Sequence, residues 1–198
     1  MLPCWKRVTR FASLALSAWV LVMMLAACGG STASKSKPTP AVTLQTYNGT
    51  GFSMHYPSNW QKSVSGDHVT FAALDGKDVL TIFADPDLSG EPDSSAVASQ
   101  SISRFAGNLF THAQAVTVPP TFITGKVTWI QLSETGVLTT ADPGAQGNLF
   151  LLVTSYPPQS KNTVTYQIEY YGSASTFGQA NVSFMQMLQS FSFTSSAA

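Results

Sequence analysis

The sequence predicts an α+β domain in which helices flank a mainly antiparallel sheet of about six or seven strands. Three observations lead to this fold class. Several short segments alternate apolar and polar residues, as half-buried strands do. Two pairs of such segments are joined by Asn-Gly or Asp-Gly, which favour hairpin turns. Two longer segments carry apolar residues at helical spacing, well separated along the chain.

In the first half of the domain, the sequence predicts strands joined by hairpins, followed by a helix. Residues 51–56 place Phe52, Met54 and Tyr56 on one face of a strand that Pro57 ends. Residues 79–84 are apolar on both faces, which indicates a central strand covered on both sides. The other strands here are 44–47 and 68–74, the turns are Asn48-Gly49 and Asp75-Gly76, and the helix runs from Ser94 or Ser95 to about residue 114.

In the second half of the domain, the sequence predicts further strands and a C-terminal helix. Residues 148–156 are strongly apolar and stop at Pro157-Pro158. Residues 163–171 alternate well, and a helix over 176–189 buries a stripe that includes Phe184 and Leu188. Residues 121–132 and 137–140 also read as strands, and 191–193 as a short extended piece.

The charge balance excludes two classes of partner. The chain of 198 residues has ten basic and ten acidic residues, and only 10% of it is charged, against about 25% in a typical soluble domain. From Cys28 onward seven basic residues face ten acidic ones, a net charge of −3. Such a domain lacks the basic surface that binds nucleic acid or anionic lipid.

The N-terminus has the three parts of a signal peptide. Lys6, Arg7 and Arg10 precede an apolar run over 11–25, which is short of the roughly 20 residues that span a bilayer. The following Leu25-Ala26-Ala27-Cys28 resembles the lipobox of bacterial lipoproteins. The resemblance implies that residues 1–27 are removed, that Cys28 is lipidated, and that the protein is anchored at the extracytoplasmic face of a cell membrane. The alternative is a signal anchor that stays in the membrane.

Residues 28–42 then form the lipidated cysteine and a tether rich in Gly, Ser, Thr and Pro, and residues 43–198 form the domain. The two cysteines are Cys4, which leaves with the signal peptide, and Cys28. The mature domain therefore has no disulfide.

Both ends of the domain resemble PsbP-like domains. The opening Gly51-Phe52-Ser53-Met54-His55-Tyr56-Pro57, followed by Trp60, is similar to the start of that family. The closing Met187-Leu188-Gln189-Ser190-Phe191-Ser192-Phe193 is similar to its end. The resemblance implies an α/β/α sandwich that binds proteins or assists assemblies. No functional residue transfers, because the matching motifs are fold residues.

Common catalytic motifs are absent from the sequence, which predicts a protein that is not an enzyme. The acidic segment Asp85, Asp87, Glu91 and Asp93 is the one candidate metal site, because alternating carboxylates suit calcium. The twelfth position of a calcium loop, normally Glu, is Ala96. The alternative is a solvated loop whose acids favour the N-terminus of the next helix.

Two aromatic residues lie on otherwise polar strand faces. Trp129 shares a face with Gln131, and Tyr171 follows the polar face of its strand. Aromatic side chains of this kind are enriched at protein interfaces.

The sequence therefore predicts a non-catalytic, lipid-anchored binding or accessory protein with a protein partner and no cofactor. One alternative is a small-ligand carrier or sensor with a pocket between sheet and helix. Another is a binding module stabilised by calcium.

Overall fold

A computed structural model describes residues 43–86, 94–158 and 163–194. These residues form eleven strands and two helices. The strands are β1 (Leu44–Gly49), β2 (Phe52–Pro57), β3 (Gln61–Ser65), β4 (His68–Ala72), β5 (Asp78–Asp85), β6 (Phe110–Ala115), β7 (Thr121–Thr124), β8 (Val127–Leu138), β9 (Gln146–Tyr156), β10 (Val164–Ser173) and β11 (Ser192–Phe193). The helices are α1 (Ser94–Leu109) and α2 (Ala174–Ser190).

The strands make two antiparallel sheets. The main sheet has eight strands in the order β3-β4-β5-β10-β9-β8-β6, and β7 pairs with β8 on the same edge as β6. The small sheet has the order β1-β2-β11. The predicted α+β class with a mainly antiparallel sheet is confirmed, with a larger sheet than expected.

The main sheet is covered on both faces. On the α1 face, Ala98 and Ile102 of the helix pack on Leu149, Leu151 and Val153 of β9. The α2 face carries the helix α2 together with the small sheet. Its core includes Phe52, Leu80, Leu152, Ile168, Tyr170 and Phe184.

The first hairpin turns two residues later than predicted. Asn48 pairs with Ser53 and Gly49 with Phe52, so Thr50 and Gly51 make the turn. Gly51 has a φ of 80°, and a Cβ there would collide with the Tyr166 hydroxyl. Glycine is needed at this position for both reasons.

Helix α1 is shorter than predicted. It ends at Leu109, and residues 110–115 form the edge strand β6 instead of continuing the helix. The Leu109 carbonyl accepts hydrogen bonds from the Thr139 backbone N–H at 2.9 Å and from its hydroxyl at 3.1 Å. The β8–β9 connection thus occupies the helix C-terminus, and pairing with β8 overrides local helical preference.

The predicted strand boundaries around β8 differ from those of the structure. Residues 121–132 contain a hairpin, because Gly125 and Lys126 turn with φ values of 58° and 62°. Residues 133–136, predicted as a gap, continue β8 as a strand of 12 residues. Their pairing with β9 supplies the hydrogen bonds that their sequence does not predict.

A buried carboxylate joins β5 to α2. Asp78 is buried, and the Tyr170 hydroxyl donates a hydrogen bond to its Oδ1 at 3.2 Å. Burial raises the pKa of Asp78, while hydrogen bonds from Thr176 and Tyr170 act in the opposite direction. The hydrogen bond from Thr176 fixes the first turn of α2 against the main sheet.

We expect Phe184→Ala to lower the free energy of unfolding by about 3–5 kcal/mol, the usual cost of removing a core phenylalanine. Phe184 is 3% exposed, and its ring stacks on Tyr170 with centroids 4.2 Å apart. The measurement is urea denaturation followed by circular dichroism.

The matched control is Val182→Ala on the same helix. Val182 is 60% exposed, so this change should stay within about 0.5 kcal/mol. Equal losses in the two variants would contradict the orientation of α2 on the sheet.

Candidate functional site

A groove of about 540 Å³ lies on the α1 face, between α1 and the outer edge of the main sheet. Its helix wall is formed by Ser95, Ser99 and Ser103, which are four residues apart and therefore lie on one stripe of α1. Ile102, Ile130 and Leu132 supply apolar lining from the helix and from β8. The arrangement is a mainly apolar groove edged by hydroxyl groups.

The opposite wall is a break in the edge strand. The Val116 N–H donates to the Ser133 carbonyl, and the Gln131 N–H donates to the Pro120 carbonyl, both at 2.9 Å. Between these contacts, residues 117–119 face Leu132 alone, so the chain bulges away from β8. Pro119 and Pro120 have no N–H to donate, which favours a break here.

Among the described lining residues of the groove, one is ionisable, through the carboxyl of Glu134. Glu134 is half-buried on β8, and among the described residues its carboxyl has no ion-pair or hydrogen-bond partner. Burial raises its pKa. Lys, Arg and His are absent from the described lining residues, so none of these offers a basic side chain to the carboxyl of Glu134.

A second polar cluster lies on the α1 face of the central strand β10. Gln167 is 3% exposed, and its Oε1 accepts no hydrogen bond from the described part of the chain. Glu169, two residues along on the same face, is 6% exposed. Burial raises the pKa of Glu169 to about 7, and the charge of Arg104 offsets part of the rise.

The predicted interface role of Trp129 is wrong. Its side chain is fully buried on the α2 face, where it packs edge-on against Phe191 and stacks on Phe193. Its indole N–H donates to the Thr124 carbonyl at 3.2 Å. The C-terminal segment covers this part of β8, which strand alternation alone could not reveal.

Tyr171 is half-buried and packs against the α1-face core. Burial raises its pKa, and the nearby Glu169 adds to the rise. A role for Tyr171 in a protein interface stays a prediction.

The other predicted site residues fall largely outside the described residues. Asp85 ends β5, whereas Asp87, Glu91, Asp93 and the lipidation site Cys28 are not among the residues described. Within the described ranges, no group of three or more His, Cys, Asp or Glu side chains could hold a metal ion. The calcium site and the lipid anchor therefore stay predictions. Neither described helix is long and apolar enough to cross a membrane.

A pocket between sheet and helix is one alternative of the sequence analysis, but the residues that line this groove were not predicted. Its signals are the four-residue spacing of Ser95, Ser99 and Ser103 and the pair Pro119-Pro120. Each is a common surface feature alone, and only the packing of α1 beside the bulge brings them together.

Comparison with solved structures shows the fold. Cyanobacterial PsbP from Synechocystis matches with a TM-score of 0.52 and 14% identity, over 83% of this chain and 100% of that one. The Ran-binding protein Mog1p of Saccharomyces cerevisiae matches with a TM-score of 0.49 and 10% identity, over 77% and 96%. LpqN, involved in cell envelope biogenesis of Mycobacterium tuberculosis, matches with a TM-score of 0.48 and 12% identity, over 81% and 87%.

No protein-family model and no curated protein sequence matches the chain. At 14% identity the likeness to cyanobacterial PsbP is one of fold. The PsbP-like architecture that the two end motifs imply is confirmed.

The raised pKa of Glu169 predicts a pH-dependent stability. The pKa is about 7 in the folded protein and near 4.5 ordinarily, so the folded state binds this proton more tightly than the unfolded chain. The free energy of unfolding should therefore fall by roughly 3 kcal/mol as the pH rises between those values. Glu169→Gln should remove this fall, as urea denaturation at about pH 5 and about pH 8 would show.

The control is Asp75→Asn, because Asp75 is exposed in the turn between β4 and β5 and its hydrogen-bond donor is the Lys77 backbone N–H, which does not titrate. This variant should keep the pH dependence of the wild-type protein. A fall that persists in Glu169→Gln would contradict the assignment to Glu169.

Proposed function

We propose that this protein is a non-catalytic, lipid-anchored binding protein at the extracytoplasmic face of a cell membrane, and that the groove beside α1 binds a small apolar ligand. The groove is the observation that carries the ligand class. Its volume of about 540 Å³ is within the range of small-molecule sites, and its lining is mainly apolar. A pocket between helix and sheet is the arrangement expected of a small-ligand carrier or sensor.

The anchor is supported by the sequence. A basic start, an apolar run of signal-peptide length and Leu25-Ala26-Ala27-Cys28 occur in the order that lipoprotein processing requires. Two or more acyl chains on Cys28 would hold the protein stably at the membrane, where one would bind only marginally.

A protein partner is the second candidate, and the edge strand β7 favours it. Within the described sheet β7 pairs with β8 alone, and Ile123 on it is 73% exposed. An extended segment of another protein could add to such an edge through backbone hydrogen bonds. This is the accessory function that the sequence predicts.

The anchor is tested by Cys28→Ser, which removes the thiol that lipidation needs. We expect this variant to lose incorporation of labelled palmitate and to leave the membrane fraction. Cys4→Ser is the matched control, because Cys4 lies before the predicted cleavage site, and it should keep both properties. Normal labelling of Cys28→Ser would contradict the anchor.

The groove is tested by Ser99→Trp, which places an indole on the groove wall from an exposed helix position. Gln100→Trp is the matched control, since Gln100 is exposed on the same helix but does not line the groove. Native mass spectra of the intact protein from its own membrane should show a bound small mass in the wild type and in Gln100→Trp, and none in Ser99→Trp.

A second protein retained in place of a small mass would favour the protein-partner candidate. An equal bound mass in all three proteins would contradict the groove as the ligand site.

A further inference from the structure

The described lining of the groove carries a negative charge with no positive charge beside it. Within the described part of the chain, Glu134 is the one ionisable lining residue, and its half-buried carboxyl has no partner there. A carboxylate that is partly withdrawn from water and unpaired costs free energy, and a cation beside it would lower that cost.

The serine hydroxyls of the groove add acceptors to this charge. Ser99 Oγ donates to the Ser95 carbonyl at 2.9 Å, and Ser103 Oγ donates to the Ser99 carbonyl at 3.0 Å. Because these protons are used within the protein, the two oxygens face a ligand as acceptors. The other polar residues of the described lining are neutral, namely Ser95, Thr117, Thr121, Gln131 and Ser133.

We propose that the groove binds an apolar molecule carrying one protonated amine, with the ammonium group against Glu134 and the apolar body against Ile102, Ile130 and Leu132. This inference rests on the proposed function of the groove and specifies its ligand class. An ammonium group supplies three donors and a positive charge, which match the acceptors and the carboxylate.

The alternatives fit the groove less well. An anionic ligand, such as a fatty acid, would meet Glu134 with no basic residue in the described lining to offset the repulsion. A neutral apolar ligand would fill the volume but leave the carboxylate unpaired. Charge complementarity therefore selects the amine among small apolar molecules.

The experiment uses the full chain in lipid nanodiscs and three probes that differ at one end: phenylpropylamine, phenylpropanol and phenylpropanoate. Binding is read from the methyl resonances of Ile102, Ile130 and Leu132, which line the groove. The methyls of Leu80 and Val69 on the opposite face are the internal control. We expect the amine to bind at least about tenfold more tightly than the alcohol, and the carboxylate most weakly.

Glu134→Gln should weaken amine binding until its affinity is close to that of the alcohol. Asp67→Asn, an exposed carboxyl outside the groove, should keep the amine preference. The order of the three probes on the wild-type protein tests the proposal even if Glu134→Gln does not fold.

The outcomes separate the two proposals. Equal affinity for amine and alcohol, or tighter binding of the carboxylate, would overturn the amine preference and leave the groove as an apolar site. An amine preference that survives Glu134→Gln would overturn the role of Glu134. Groove methyls that respond to none of the three probes would count against the groove function itself.

Discussion

The fold depends on the burial of both faces of its central strands. β9 and β10 have strand neighbours on both sides, and β9 is apolar on both faces, with Leu151 directed to α1 and Leu152 to the α2 face. Neither face can be left in water without exposing much of the core. The chain therefore needs two covers, and it makes them from segments far apart in sequence.

The two covers differ in how completely they fill the space. On the α2 face, aromatic rings touch in series from Phe52 to Phe191, Trp129 and Phe193. This layer closes only when Ser192 and Phe193 pair with β2 as β11. Phe191 and Phe193 are thus packed on the core, and their contacts explain why Trp129 is buried.

The α1 face is less completely packed. A single helix lies across β8 and β9, and the face it covers includes the buried Gln167 and Glu169 of β10. Buried polar groups of this kind cost free energy unless they are paired or neutral. The larger apolar cluster lies on the α2 face of the sheet, and the polar cluster and the groove lie on the α1 face.

The sequence predicts the parts of this structure that local rules determine. Alternation identified β2 and β10, and the stripe through Phe184 and Leu188 identified α2, because one face of each element meets a core. Asp75-Gly76 marked the β4–β5 hairpin, where Gly76 takes a φ of 69°.

Other elements depend on contacts that no local pattern records. β3 is exposed along its whole length and has no alternation to detect. The end of α1 is set by Thr139, some thirty residues away in sequence. The groove likewise requires α1 and the bulge at 117–119 to meet across β8, so its lining could not be read from either segment alone.

The groove proposed as the ligand site lies outside the hydrophobic core and the hydrogen-bonded ladder on which folding depends. Its walls are exposed serines of α1 and a bulge outside the hydrogen-bonded ladder, so its shape can change with little disturbance of the core. The carboxylate of Glu134 contributes nothing comparable to folding, because the described fold offers it no partner. The free energy lost by holding it half-buried is available to any cation that binds beside it, since a ligand that binds only the native state stabilises that state. An unpaired charge in an apolar groove is thus a cost to the empty protein and a source of affinity and selectivity for the occupied one.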